Sequence, residues 1–250
     1  MPRFAPSIAF MFATALLLAD TAHCLGQTPV QLLHRKKLSP TADSLPRIKN
    51  PTPAQTKINR HLQMVDSEAR GSAQGCTGLD EQGDNMFFQR DIRVTSSGPL
   101  FLSVEIHEGA GCGGVHPYNA SFTLTYDLTT GALVKWSKYL TRTRAKDLTF
   151  TPLTEGMILP AVRSAVLEKL FVAGWQDRQG CTVEAVVGPD SKSEAELTDF
   201  QLSAATGGLS VLPVNLASAA SACAAPVILG KSGMDELGIP QNIQDALLHQ

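Results

Sequence analysis

Residues 115–140 read VHPYNASFTLTYDLTTGALVKWSKYL. Apolar and polar residues alternate through Ser121–Leu128. Phe122, Leu124, Tyr126 and Leu128 share one face, and Thr123, Thr125 and Asp127 share the other. This period of two predicts a β-strand with one buried face. Thr129-Thr130-Gly131 follows as a tight turn, with glycine supplying the positive φ such a turn uses. Residues 133–136 are expected to return antiparallel, and Ser137 offers an N-cap for a helix running to about residue 142. A hairpin that feeds a short helix sets the class. The expectation is an α+β fold, an antiparallel sheet built from hairpins with one main helix packed on a face and stapled by disulfides.

The neighbouring segments extend this pattern. Residues 87–94 and 100–107 are strand candidates, joined by the turn Ser96-Ser97-Gly98-Pro99. In the second, Phe101, Val104 and Ile106 sit among Ser103, Glu105 and His107. Residues 160–173 hold Val162, Val166, Leu167 and Leu170 at helical spacing before Gly174, which predicts the main helix. A weaker helical pattern covers 58–68, and the Gly-, Ser- and Asp-rich residues 70–83 read as loop. Residues 181–187 read as a strand, 200–204 and 208–212 as a second hairpin, and 214–221 as one or two helical turns. A last strand is expected at 225–229, then short helices over 234–248, broken at Pro240.

The first residues carry Arg3, then an apolar run, then small residues around Ala22, Cys24 and Gly26. That is the layout of a secretory signal peptide, expected over 1–26. It places the rest of the chain in the periplasm or outside the cell, with no membrane span in the mature chain. Residues 27–57 hold Pro29, Pro40, Pro46, Pro51 and Pro53 and many cations, and are expected to form an exposed basic linker. Between residues 30 and 60, Arg35, Lys36, Lys37, Arg47, Lys49, Lys57 and Arg60 face the single carboxylate of Asp43. Such a segment is read as a solvated spacer whose charge could touch anionic lipid or wall polymer. The whole chain nets −2, so the excess of acid lies in the remainder. Residues 58–250 are expected to form a single α+β domain. Export argues against nucleic acid as a partner.

Four cysteines follow the signal: Cys76, Cys112, Cys181 and Cys223. An even count in an exported chain suggests disulfides, and four cysteines allow three pairings. Cys76–Cys112 with Cys181–Cys223 is the expected set, because each pair encloses one contiguous block of strand-like sequence. No Cys-x-x-Cys occurs, so a zinc site is not expected. Nothing in the sequence calls for a cofactor.

Chemistry is sparse. Gly109-Ala-Gly111-Cys-Gly113-Gly114 matches G-x-G-x-x-G in letters, but a strand follows it where a dinucleotide site needs a helix. Cys112 and His116 could form a thiol nucleophile and base, yet in an oxidising compartment Cys112 is expected in a disulfide. Neither G-x-S-x-G nor H-E-x-x-H occurs. Glu105 and His107 lie on one face of their strand near the Gly-rich loop. With His116 they are the best candidates for a binding site, although an outward-facing pair on an edge strand would look the same. Trp136 and Trp175 are read as core or rim residues.

Cys-Gly-Gly-Val-His-Pro at 112–117, F-x-L-x-Y-D-L at 122–128, Thr130-Gly131 and Trp136-x-x-Tyr139-Leu140 resemble a family of bacterial domains of unknown function. Its members occur in lysozyme-sensing anti-sigma factors and beside polysaccharide deacetylase modules. A looser match covers 160–173 and 223–229. The resemblance implies an extracytoplasmic α+β domain that acts mainly by binding, and its anti-sigma members bind lysozyme. No anti-sigma segment or deacetylase module is read here, so neither that role nor any catalytic residue is carried over. The expected function is a non-catalytic envelope domain that binds an envelope protein or a peptidoglycan-type glycan. The alternative is an exported hydrolase with a site near Glu105, His107, Cys112 and His116.

Overall fold

A computed structural model describes residues 29–77, 86–112, 118–143, 146–150, 159–177, 180–188, 197–216 and 218–249. The expected signal, with Cys24, and His116 lie outside the described residues. The fold is α+β, with antiparallel sheets, one long helix and two disulfides.

The chain enters through a two-stranded ladder, β1 (Leu32–Leu33) with β2 (Arg47–Ile48). Helix α1 (Pro53–Thr77) follows, and it begins before the expected helix over 58–68, inside the expected linker. Thr52 Oγ1 accepts from the Gln55 amide (3.3 Å), and Gln55 Oε1 accepts from the Thr52 amide (3.0 Å). This is a reciprocal capping box with proline at the first helical position. Ile58, Leu62, Val65, Ala69, Ala73 and Cys76 recur at helical spacing and are all buried. They lie against a three-stranded sheet, β3 (Phe87–Ser97), β4 (Phe101–Gly111) and β5 (Tyr118–Asp127), in that order and antiparallel. The register sets Leu102 against Tyr126, Val104 against Leu124 and Ile106 against Phe122. That apolar row, with Ile58, Leu62 and Val65, forms one core.

The turn after β5 is the expected one. Asp127 Oδ1 accepts from the amides of Thr129 (2.7 Å) and Thr130 (3.0 Å), and Gly131 has φ +74°. A Cβ on Gly131 would stand 2.2 Å from the Ala54 carbonyl oxygen, so only glycine lets the turn rest on the first turn of α1. The return is shorter than expected. One bridge joins Tyr126 and Leu133, and a 3-10 helix then covers Trp136–Tyr139, with Lys135 rather than Ser137 in the N-cap position. Trp136 packs on Phe101 and is buried.

A second sheet comprises β6 (Lys146–Phe150), β7 (Leu159–Arg163), β8 (Asp199–Ala205), β9 (Gly208–Val214) and β10 (Val227–Leu229). Its order is β10-β9-β8-β7-β6, with every neighbour antiparallel. The expected helix over 160–173 is divided. Residues 159–163 pair as β7, and α2 (Ala165–Gly174) starts only after Ser164, whose extended backbone breaks the spacing and whose buried hydroxyl accepts from the Leu167 amide. Residues 181–187 are not a strand. Cys181 makes one bridge, and α3 (Val183–Val187) follows, burying Val186 and Val187. A short apolar run cannot be told from a buried helix by periodicity alone. The β8–β9 hairpin forms as expected, as do α4 (Ser218–Ser221), α5 (Lys231–Leu237) and α6 (Gln241–Leu248). A second core gathers Phe171, Phe200, Leu209, Val211, Met234, Leu237 and Leu247 between this sheet and its helices.

Two expectations about the N-terminal part are overturned. The loop expected from residue 70 is helical as far as Thr77. Gly71 and Gly75 fall on open flanks, while Ala73 and Cys76 carry the buried stripe onward. The described part of the expected linker is not an exposed spacer. Ala42, Leu45 and Ile48 are buried, and residues 41–43 lie along the outer edge of β3. There the Arg90 amide donates to the Thr41 carbonyl (3.0 Å) and the Asp43 amide to the Arg90 carbonyl (2.9 Å). Proline density therefore marks a strap that is extended but packed.

Candidate functional site

The apolar side of β3–β4–β5 is spent on α1, so alternation sends polar residues to the other side. β8 and its turn lie across part of that side. Thr95 Oγ1 donates to the Ala204 carbonyl (2.8 Å), and the Thr206 amide donates to the Thr95 carbonyl (3.0 Å). Beyond this seam opens a cleft of about 750 Å³. Its floor is Asp91, Arg93, Glu105 and His107, and its far wall includes Ala225, Pro226 and Ile228. Ile228 is 45% exposed and presents an apolar rim.

Glu105 sits on the central strand, so the edge-strand reading of Glu105 and His107 does not hold. The register sets it between Arg93 on β3 and Thr123 on β5, and sets His107 between Asp91 and Ser121. Glu105 is 2% exposed. Arg93 Nε donates to Glu105 Oε2 at 2.9 Å, and Arg93 Nη2 makes a shorter contact to the same oxygen. His107 Nε2 lies 3.2 Å from Glu105 Oε1, and His107 Nδ1 lies 2.8 Å from Ser121 Oγ. Burial by itself would raise the Glu105 carboxyl. The hydrogen bond from His107 and the Arg93 guanidinium outweigh it and hold the group below its ordinary value. The carboxylate is therefore fixed and ionised. With the proton on Nε2, His107 donates to Glu105 and can accept from the Ser121 hydroxyl. Ser121, His107 and Glu105 then form a hydrogen-bonded series of hydroxyl, imidazole and carboxylate. Ser121 stands outside the cleft lining, beside His107.

Of the residues expected at a binding site, the structure brings Glu105 and His107 together in a cleft. His116 falls outside the described residues. Cys112 is bonded to Cys76 (Cα–Cα 4.4 Å) and Cys181 to Cys223 (5.5 Å), as expected, so Cys112 offers no thiol. Arg93 and Ser121 were not foreseen. The signal for both lies in cross-strand register, which alternation alone does not fix. Among the described residues, no three His, Cys, Asp or Glu side chains gather as a metal-ligand set.

A second polar cluster lies under α1. Arg90 is fully buried, with Nη1 2.8 Å from Asp66 Oδ1 and Nε 2.9 Å from Glu108 Oε1. Arg47 Nη2 reaches Asp66 Oδ2 at 2.8 Å, and the Leu45 amide donates to Asp66 Oδ1 at 3.0 Å. Burial raises the Glu108 carboxyl despite Arg90. This network fastens the strap, α1 and the sheet to one another. It opens onto no part of the cleft's lining.

No family model matches this chain, and no curated protein matches it.

Proposed function

We propose that the chain is an exported, non-catalytic domain of the cell envelope, periplasmic or secreted. It binds a protein or a peptidoglycan-type glycan in the cleft over Arg93, Glu105 and His107. The observation that carries this reading is the cleft's construction. A floor of charges already paired and fixed by the sheet meets an apolar rim at Ile228. Concave sites with a few oriented polar groups and apolar walls are the usual form of a binding site. The two disulfides fit an oxidising compartment. Among the described residues, no helix is long and apolar enough to cross a membrane. The resemblance of 112–140 to domains of lysozyme-sensing anti-sigma factors and deacetylase-linked proteins supports the same reading.

Titration calorimetry with lysozyme and with soluble peptidoglycan fragments tests it. One probe should bind saturably, and His107→Gln with Ile228→Asp should weaken it by about tenfold or more, as expected of residues central to an interface. Binding of neither probe, or binding indifferent to those changes, overturns it. The Ser121–His107–Glu105 series favours a second reading, an exported hydrolase whose site lies at Ser121 beside the cleft. Turnover of a wall fragment or ester that Ser121→Ala abolishes, with the fold intact, would replace the first reading by the second.

A further inference from the structure

We propose that the groove between α1 and residues 35–47 is a binding site for phosphate-bearing anions. It lies on the α1 side of the three-stranded sheet, opposite the cleft described above, and goes beyond that reading. Its volume is about 670 Å³. Six cations line it: Arg35, Lys36, Lys37, Arg47, Arg60 and Arg70. Asp66 is the only carboxylate in the lining, and its oxygens are taken by Arg47, Arg90 and the Leu45 amide. Lys37 lies 2.9 Å from Asp43. Among the described residues, no carboxylate pairs with Arg35, Lys36, Arg60 or Arg70.

The cations are placed by the fold and do not hang on a tail. On α1, Thr56, Arg60, Gln63, Ser67 and Arg70 recur every three or four residues, so helical spacing puts them on one stripe beside the buried one. The strap opposite is tied down. Ser44 Oγ donates to the Lys36 carbonyl, the Leu38 amide to the Ala42 carbonyl (2.8 Å) and the Lys49 amide to the Gln31 carbonyl (2.8 Å). Gathering like charges across a groove raises the energy of the empty state through mutual repulsion. A single carboxylate would leave most of that charge unbalanced. Phosphate groups match it, because guanidinium forks take two oxygens of one phosphate and lysines add point charge. A preset bank of donors also spares the ordering cost that a flexible basic tail would meet on binding.

Two probes test the shared chemistry and separate its sources. Inorganic polyphosphate represents a soluble polymer of anionic phosphates. Vesicles of phosphatidylglycerol in phosphatidylcholine, against phosphatidylcholine alone, represent a lipid headgroup. At least one should bind, and more weakly as salt rises. Arg60→Gln with Arg70→Gln, and separately Arg35→Gln with Lys36→Gln, should each lower affinity by about tenfold or more. Lys49→Gln with Lys57→Gln, an equal loss of charge outside the groove, should stay within about twofold. Polyphosphate binding alone assigns a soluble polymer, and vesicle binding with the same residue dependence assigns a headgroup. Binding of neither probe overturns the proposal. So does an equal loss in all three double variants, which would mean diffuse attraction and no built site.

Discussion

Arg90 lies wholly inside the protein, and its partners decide whether that is tolerable. A buried guanidinium is costly unless carboxylates face it, and removing one partner leaves the charge stranded. Asp66→Ala removes one of the two carboxylates that face Arg90 and the carboxylate that Arg47 meets, leaving Glu108 alone against the buried guanidinium, so stability should fall by roughly 3–5 kcal/mol in urea unfolding. Arg93→Gln removes a guanidinium that is itself largely exposed and leaves buried Glu105 its contact with His107, so it should cost less, about 1 kcal/mol. Equal losses at the two sites would refute the difference in burial. Glu105 makes a pH-dependent contribution whose sign is fixed. Its folded carboxyl is held below its ordinary value, so its stabilisation is present above that value and is lost as pH falls through it. The gap in unfolding midpoint between the wild type and Glu105→Gln should therefore be widest near neutrality and close on acidification below about pH 4.5, the ordinary value. A gap that stays constant into acid would show that the carboxyl is not held low. Alternation alone placed Glu105 and His107 on one face. It could not show Arg93 covering them, because that pairing depends on the register of two strands across a turn.

Among the elements, α1 shows why part of the fold was hidden in the sequence. The prolines at 51 and 53 drew residues up to 57 into the expected linker and hid the capping box at Thr52 and Gln55, and Gly71 and Gly75 argue for a loop after residue 70. Each glycine costs a helix about 1 kcal/mol relative to alanine. Packing of Ala69 and Ala73 on Phe88 and Ala110 outweighs that, and it is not visible in a local window. The strap at 29–50 was missed for a related reason. Proline excludes helix, but it does not exclude burial of Leu45 and Ile48. The β3–β4 and β8–β9 hairpins were legible because alternation and turn glycines agreed, whereas the expected return of 133–136 on β5 is reduced to one bridge. The Cys76–Cys112 bond joins the end of α1 to the residue after β4, where Gly109 and Gly111 leave the unfolded chain loose. Replacing both cysteines by serine, with the C-terminal pair intact, should lower stability by roughly 2–4 kcal/mol in urea unfolding. An unchanged midpoint would mean that the helix end holds without it.

For the whole molecule, the strap is structural, and deletion tests this directly. A chain beginning at residue 52 loses Leu45 and Ile48 from the core, each a burial of about 1.5–3 kcal/mol. It also loses the ion pair of Arg47 with Asp66. Its thermal midpoint should fall far below that of the full chain, or it should not fold. A spacer could be removed without effect, so an unchanged midpoint would restore the linker reading.

The two disulfide loops do not overlap in the chain: one closes at Cys112 before the other opens at Cys181. A backbone cut inside either loop leaves a single covalent molecule. A cut anywhere between Cys112 and Cys181 leaves two molecules, each closed by its own disulfide and held to the other by non-covalent contacts alone: the packing of one sheet on the other and, where the cut falls before β5, the β4–β5 ladder as well. On a non-reducing denaturing gel the first kind of nick should run as one band and the second as two. Under native conditions both should elute at the size of the uncut protein. The chain is thus covalently secured within its halves and only adhesively secured between them, so a single cleavage in the span from 112 to 181 would make separation of the halves a reversible, concentration-dependent equilibrium.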